Sequence, residues 1–243
     1  MSSRLVPILL AFASCLGGPT DPGPLEGRRV LFIGNSYLYT QNIPEIVEAL
    51  ADSAHGDKIA TAMVAGPNLA LIDHWSSGPA REAVAQGGWE WVILQQGPSS
   101  VGVNRDTLRL ATGYFAGVIA GVSAKPALFS AWPSQDRRQD FPAAIESYTL
   151  AAQDVQGILL PIAAAWVAAW QRDPNLQLYQ DGLHPSPLGA YLSALVIYAV
   201  LLEKSPVGLP AKLKLRNGTT IDLGSAAATL QAAAAEAVQA VGH

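Results

Sequence analysis

Five apolar runs of strand length, with helix-length segments between them, limit what this chain can fold into more than any other feature. They are Val30–Ile33, Lys58–Ala65, Trp89–Gln95, Ala127–Trp132 and Gly157–Leu160. Strands that alternate with helical patterns predict a parallel sheet wrapped by helices. Val30–Ile33 is apolar throughout, which suits a central strand buried on both faces. Helical spacing of apolar residues covers Ile43–Ala54, with Pro44 in its first turn, then Thr107–Ser123, Phe141–Val155, Ile162–Gln171 and Ser186–Leu202. Trp166 and Trp170, four apart, fall on one helix face and read as core. The polar loop from Pro133 to Asp140 carries Arg137 and Arg138, which read as solvated. Near the end, Asn217-Gly218 between short alternating runs predicts a hairpin over Leu213–Leu223, and Ser225–Val241 predicts a last helix.

A chain of 243 residues, 50% apolar and 14% charged, can bury one full core. Its first residues stand apart from that core. Arg4 precedes an apolar run from Leu5 to Ala13 that is too short for the roughly 20 residues a bilayer span needs. Phe12-Ala13-Ser14-Cys15 then resembles a bacterial lipobox, in which the cysteine is lipidated. The expected order is a lipoprotein-type signal over 1–15, a Gly/Pro-rich tether over 16–28, a folded domain over 29–203, and a hairpin-and-helix extension over 204–243. The expected location is the bacterial cell envelope, held to the membrane by the lipid anchor alone. A net charge of −4 with scattered Lys and Arg gives no support for nucleic-acid binding. Four histidines, one cysteine and no C-x-x-C or H-E-x-x-H pattern give none for a metal.

Two short segments carry chemistry. Ser36 follows Gly34-Asn35 at the carboxyl end of the first strand, where ligands gather in open α/β sheets. A serine hydroxyl is a poor nucleophile near neutral pH and needs a base within hydrogen-bond reach. His184 can be that base if a carboxylate fixes its tautomer, and Asp181 lies three residues before it in Asp181-Gly182-Leu183-His184-Pro185-Ser186. Gly182 allows a tight bend, and Pro185 and Pro187 stiffen the loop. The chemistry expected of Ser36, His184 and Asp181 is acyl transfer through a covalent intermediate.

Gly34-Asn35-Ser36-Tyr37 resembles the first block of the SGNH (GDSL-like) hydrolase superfamily, and Asp181-Gly182-Leu183-His184-Pro185 resembles its last. The resemblance spans roughly Arg29 to Leu202. It implies a flavodoxin-like three-layer α/β/α sandwich with a five-stranded parallel sheet, and needs no cofactor and no metal. It also implies an oxyanion hole made from the backbone N–H of Ser36, that of Gly66, and a third-block amide. The family's Gly-x-Asn-Asp is missing here, and Leu94-Gln95-Gln96-Gly97 stands in its place. Gln96, beside Gly97, is the expected donor, with Gln95 as the alternative. Strand alternation forbids both from facing the site if the strand stays regular. Asn68 and His74 follow Gly66 and are candidates to line the pocket, although Asp73-His74 also reads as a structural pair. Trp132 is a candidate platform for a sugar face or plain packing. The expected activity is a serine esterase, with an O-acetyl group on a carbohydrate as substrate. An acyltransferase using the same residues and a non-catalytic glycan-binding lipoprotein are the alternatives.

Overall fold

Val30, Leu31, Phe32 and Ile33 are fully buried, which requires a helical layer on each side of the strand that carries them. The computed structural model describes residues 27–54 and 58–242, so the signal segment with Cys15 and the tether as far as residue 26 lie outside the described residues. Strand β1 (Arg28–Gly34) takes in the last residue assigned to the tether. A short turn of helix α1 (Ser36–Tyr39) and helix α2 (Ile43–Ser53) lead to β2 (Ile59–Ala65). Helices α3 (Leu71–Ser77) and α4 (Pro79–Ala85) lead to β3 (Trp91–Leu94), α5 (Gly102–Gly121) to β4 (Lys125–Phe129), and α6 (Phe141–Asp154) to β5 (Ile158–Leu160). Then come α7 (Ile162–Arg172), α8 (Pro187–Leu202), the strands β6 (Lys212–Lys214) and β7 (Thr220–Asp222), and α9 (Ala226–Ala240).

The large sheet is parallel, in the order β2-β1-β3-β4-β5. Helices α3 to α6 cover one face, while α2, α7, α8 and α9 pack together on the other. The expected three-layer α/β/α sandwich is the observed fold. The chain reverses direction across the sheet between β1 and β3. The carboxyl ends of those two strands therefore flank the crevice where such folds bind ligands.

Boundaries moved where hydrogen bonds decided them. Strand β4 starts at Lys125, whose N–H reaches Glu90 O (3.0 Å), and it stops at Phe129. Trp132 consequently lies three residues beyond the strand rather than at its end. Helices α3 and α4 were not predicted: Gly78 separates two amphipathic segments each too short for a clear period.

Helix α8 is buried on nearly every side, and its N-cap Ser186 accepts from Leu188 N (3.2 Å) and Gly189 N (3.3 Å). A Cβ at Gly189 would collide with Leu178 O and the Trp166 ring, so only glycine lets this helix dock at the base of the loop before it. The C-terminal segment is no appendage. Leu213, Ile221, Leu230, Ala234 and Val238 belong to the same apolar cluster as α7 and α8.

Candidate active site

The turn that leads into Ser36 is built from buried polar groups. At the end of β1, Gly34 has no room for a Cβ because the Gln95 amide oxygen occupies that space. Asn35 is extended and caps α1, its Oδ1 accepting from Tyr37 N (3.2 Å). Gln95 clamps this residue twice: its Oε1 accepts from Asn35 N (2.8 Å) and its Nε2 donates to Asn35 Oδ1 (3.1 Å). Asn35 Nδ2 in turn donates to Leu69 O (3.1 Å). Ser36 follows as the first residue of α1, half-buried, with its amide ahead of any intrahelical partner.

The other half arrives on the loop before α8. His184 Nε2 lies 2.9 Å from Ser36 Oγ, and His184 Nδ1 lies 2.7 Å from Asp181 Oδ2. A carboxylate only accepts, so Nδ1 carries the ring proton and Nε2 is left to accept from the serine hydroxyl. The other Asp181 oxygen takes the backbone N–H groups of Leu183 (3.0 Å) and His184 (2.7 Å). These bonds, that from the His184 ring first, pull the Asp181 carboxyl down to about 2, so it stays ionised through the working range. Gly182, at φ 83°, makes the bend between Asp181 and His184.

The loop hangs from the segment after β4. Trp132 Nε1 donates to Leu183 O (3.0 Å), Gln135 N to Gly182 O (2.7 Å), and Tyr179 Oη to Pro133 O (2.6 Å). Gln41 Nε2 reaches across from the α1 side to Gln180 Oε1. Beneath them runs an aromatic stack: Tyr37 on Trp132 (4.8 Å between centroids), then Trp132 on Trp166 (4.0 Å).

Ser36, His184 and Asp181 thus meet as the sequence predicted, over one end of the sheet. Several other expectations need correction. Trp132 is fully buried between Tyr37 and Trp166 and offers no platform for a sugar. His74 is buried too, and its Nε2 bonds Gly34 O (2.7 Å), so it supports β1 from below instead of lining a pocket. The Gly66 N–H also donates to Gly34 O (3.2 Å), extending the β1–β2 ladder. Neither glutamine presents a free amide: Gln95 Nε2 is engaged by Asn35 and by Gln96 O, and Gln96 Nε2 by Ser99 Oγ (2.8 Å) and Asn104 O (3.5 Å). Both side chains are buried, because β3 ends at Leu94 and strand alternation no longer governs them. Asn68 is exposed, one residue before Leu69, whose carbonyl accepts from Asn35 Nδ2. Arg138 is not simply solvated; its guanidinium lies 3.9 Å from the Trp170 ring centre. Sequence reasoning missed Gln135, Tyr179, Gln41 and Gln180, whose bonds to the loop carry no local signal.

No family model and no curated protein matches the sequence. Solved structures do. A candidate SGNH hydrolase from Slackia heliotrinireducens superposes with a TM-score of 0.62 at 22% identity, covering 72% of this chain and all (100%) of that one. The chain has the SGNH-hydrolase fold. A DUF4886 family protein from Bacteroides uniformis shares this fold over a longer stretch, with a TM-score of 0.75 at 14% identity across 88% of this chain and 95% of that one. An acetyl-xylooligosaccharide esterase variant from a Geobacillus shares it at a TM-score of 0.54 and 16% identity, covering 73% and 94% of the two chains. Within the SGNH-hydrolase fold, β1 and the loop before α8 are the elements that bring Ser36 and His184 together here.

Proposed function

We propose that this protein is a serine esterase that removes an O-acetyl group from a carbohydrate. One observation carries the reading: a serine hydroxyl 2.9 Å from an imidazole whose other nitrogen sits 2.7 Å from an ionised carboxylate. Ser36 Oγ attacks the ester carbonyl as His184 Nε2 takes its proton, and Asp181 holds the imidazolium. The Ser36 N–H faces the oxyanion that develops on the carbonyl. His184 then gives its proton to the departing alcohol, which leaves an acetyl group on Ser36. A water activated by the same imidazole attacks that acyl-enzyme and releases acetate.

A cleft of about 420 Å³ opens beyond α1, and none of Ser36, Asp181 and His184 lines it, so it does not identify the alcohol. Its wall mixes Tyr39, Gln41, Asn42 and Thr219 with apolar Met63, Leu215 and Ile221, and its Arg216 is ion-paired with Glu45 and Glu48. Support for a sugar as the alcohol is the likeness in fold to an acetyl-xylooligosaccharide esterase, by analogy.

The test uses the full chain and its Ser36→Ala variant. The intact protein should release acetate from p-nitrophenyl acetate and from acetylated xylo-oligosaccharides, and the variant should lose at least about 10³-fold in rate on both. Equal rates for the two proteins would remove Ser36 from the mechanism, and no hydrolysis by the intact protein would return the chain to a binding role.

A further inference from the structure

The esterase reading, on which this inference rests, leaves free, among the described residues, one of the four oxyanion donors expected from the sequence, the Ser36 N–H. The other three are engaged: Gly66 N–H by Gly34 O, Gln95 Nε2 by Asn35 Oδ1 and Gln96 O, and Gln96 Nε2 by Ser99 Oγ and Asn104 O. One amide donor of this kind is worth about 10²–10³ in rate, so a site lacking it would work poorly. We propose that Asn68 supplies the missing donor through its side-chain amide.

The loop after β2 is built to hold that residue beside the nucleophile. Leu69 N donates to Gly66 O (3.4 Å), closing a turn with Pro67 second and Asn68 third. Asn68 has φ 58°, the left-handed conformation that the third position of a type II turn demands. Both ends of the turn are clasped to the residues just before Ser36, Gly66 N to Gly34 O (3.2 Å) and Asn35 Nδ2 to Leu69 O (3.1 Å). The following amides are spoken for as well, Ala70 N by Asp73 Oδ2 (2.8 Å) and Leu71 N by Gln96 Oε1 (3.1 Å). Among the described residues, nothing is bonded to the Asn68 side chain, which is exposed at the corner of the turn. Glycine would fit this backbone with less strain. Asparagine is the side chain that best tolerates this conformation, and it adds an NH₂ donor that glycine would lack.

The conformational preference supplies a clean variant. Asn68→Gly removes the amide while easing the turn, so its melting temperature should equal or exceed that of the parent. Asn68→Asp keeps the size and replaces the donor with a charged acceptor. On the full chain, p-nitrophenyl acetate hydrolysis and covalent labelling of Ser36 by a p-nitrophenyl phosphonate are measured together. The phosphonyl oxygen occupies the place of the oxyanion. Both rates should fall about 100-fold in Asn68→Gly, at least as far in Asn68→Asp, and KM should change less than about threefold. A variant within threefold of the parent in both assays would overturn the role of Asn68 and leave the esterase intact. A parent protein that neither hydrolyses the ester nor takes the label at Ser36 would overturn the esterase reading itself.

Discussion

The two halves of the site are held in place by opposite means. The nucleophile turn rests on buried polar groups: Gln95 is fully buried, and it fixes Asn35 by two hydrogen bonds inside the protein. The acid–base loop lies at the surface. Its Asp181 side chain is 49% exposed and that of His184 24%, and the loop is suspended from Trp132, Gln135 and Tyr179. A buried amide left unpaired costs about 1–3 kcal/mol, whereas an exposed one finds water. Changes beneath the nucleophile should therefore appear first in stability, and changes in the loop first in rate. That contrast also explains why a serine and a histidine 148 positions apart stay 2.9 Å from one another: each is pinned to its own scaffold, and the aromatic stack joins the scaffolds.

Asp181→Asn should produce the largest departure. The amide oxygen still accepts from the Leu183 and His184 backbones, so the loop keeps its shape. The NH₂ group cannot accept the Nδ1 proton, and the imidazole turns to the tautomer whose Nε2 is already protonated and cannot act as base. We expect kcat to fall about 10²–10⁴-fold while the melting temperature barely moves. Steady-state kinetics and thermal unfolding of the same preparation check it. A loss of stability in step with the loss of rate would erase the contrast between the halves.

Trp132→Phe sharpens the contrast from the suspension side. Phenylalanine keeps a ring between Tyr37 and Trp166 but drops the N–H that holds Leu183 O. Trp166→Phe is its control. Trp166 packs in the same stack, yet its indole nitrogen is buried without a partner and no hydrogen bond ties it to the loop. Both should lose about 1–3 kcal/mol in chemical unfolding. Only Trp132→Phe should lower kcat, by about tenfold, with KM little changed. Matching kinetics in the two variants would mean that the stack, not the indole bond, positions His184.

The same division decided what could be read from sequence. The acid and base sit three residues apart with a glycine between them, and the nucleophile follows a plain apolar strand, so local pattern was enough for Ser36, Asp181 and His184. The sheet was legible for the same reason, since each run needed two covered faces. The supports were not. Gln95 meets Asn35 across 60 residues and Trp132 meets Leu183 across 51. Nothing in the neighbourhood of Gln95, Gln96 or Trp132 announces that it points inward. Strands β3 and β4 both stop short of these residues, so the alternation that would have placed them does not reach. Nor does the sequence around Gly34 show that the space a Cβ would need there is taken by the Gln95 amide.

The smallest effect belongs to the buried half and tests it through pH. His74 donates from Nε2 to Gly34 O under the nucleophile turn. Burial is the main cause that lowers its affinity for a proton, partly opposed by the bond to the Gly34 carbonyl. The folded chain thus keeps His74 neutral at pH values where the unfolded chain, titrating near 6.5, takes up a proton. The unfolded state then binds more protons, so stability falls as pH drops below about 6.5, by up to about 1.4 kcal/mol per pH unit until the folded group also titrates. Urea midpoints between pH 7.5 and 5 should show this slope in the parent protein. His74→Gln replaces the imidazole with an amide that can still donate to Gly34 O but does not titrate, so its slope should be shallower. An unchanged slope would mean that His74 is charged in the fold. The carbonyl beneath Ser36 would then carry a cation, and the nucleophile turn would owe its rigidity to charge as well as to the neutral clamp of Gln95 and Asn35.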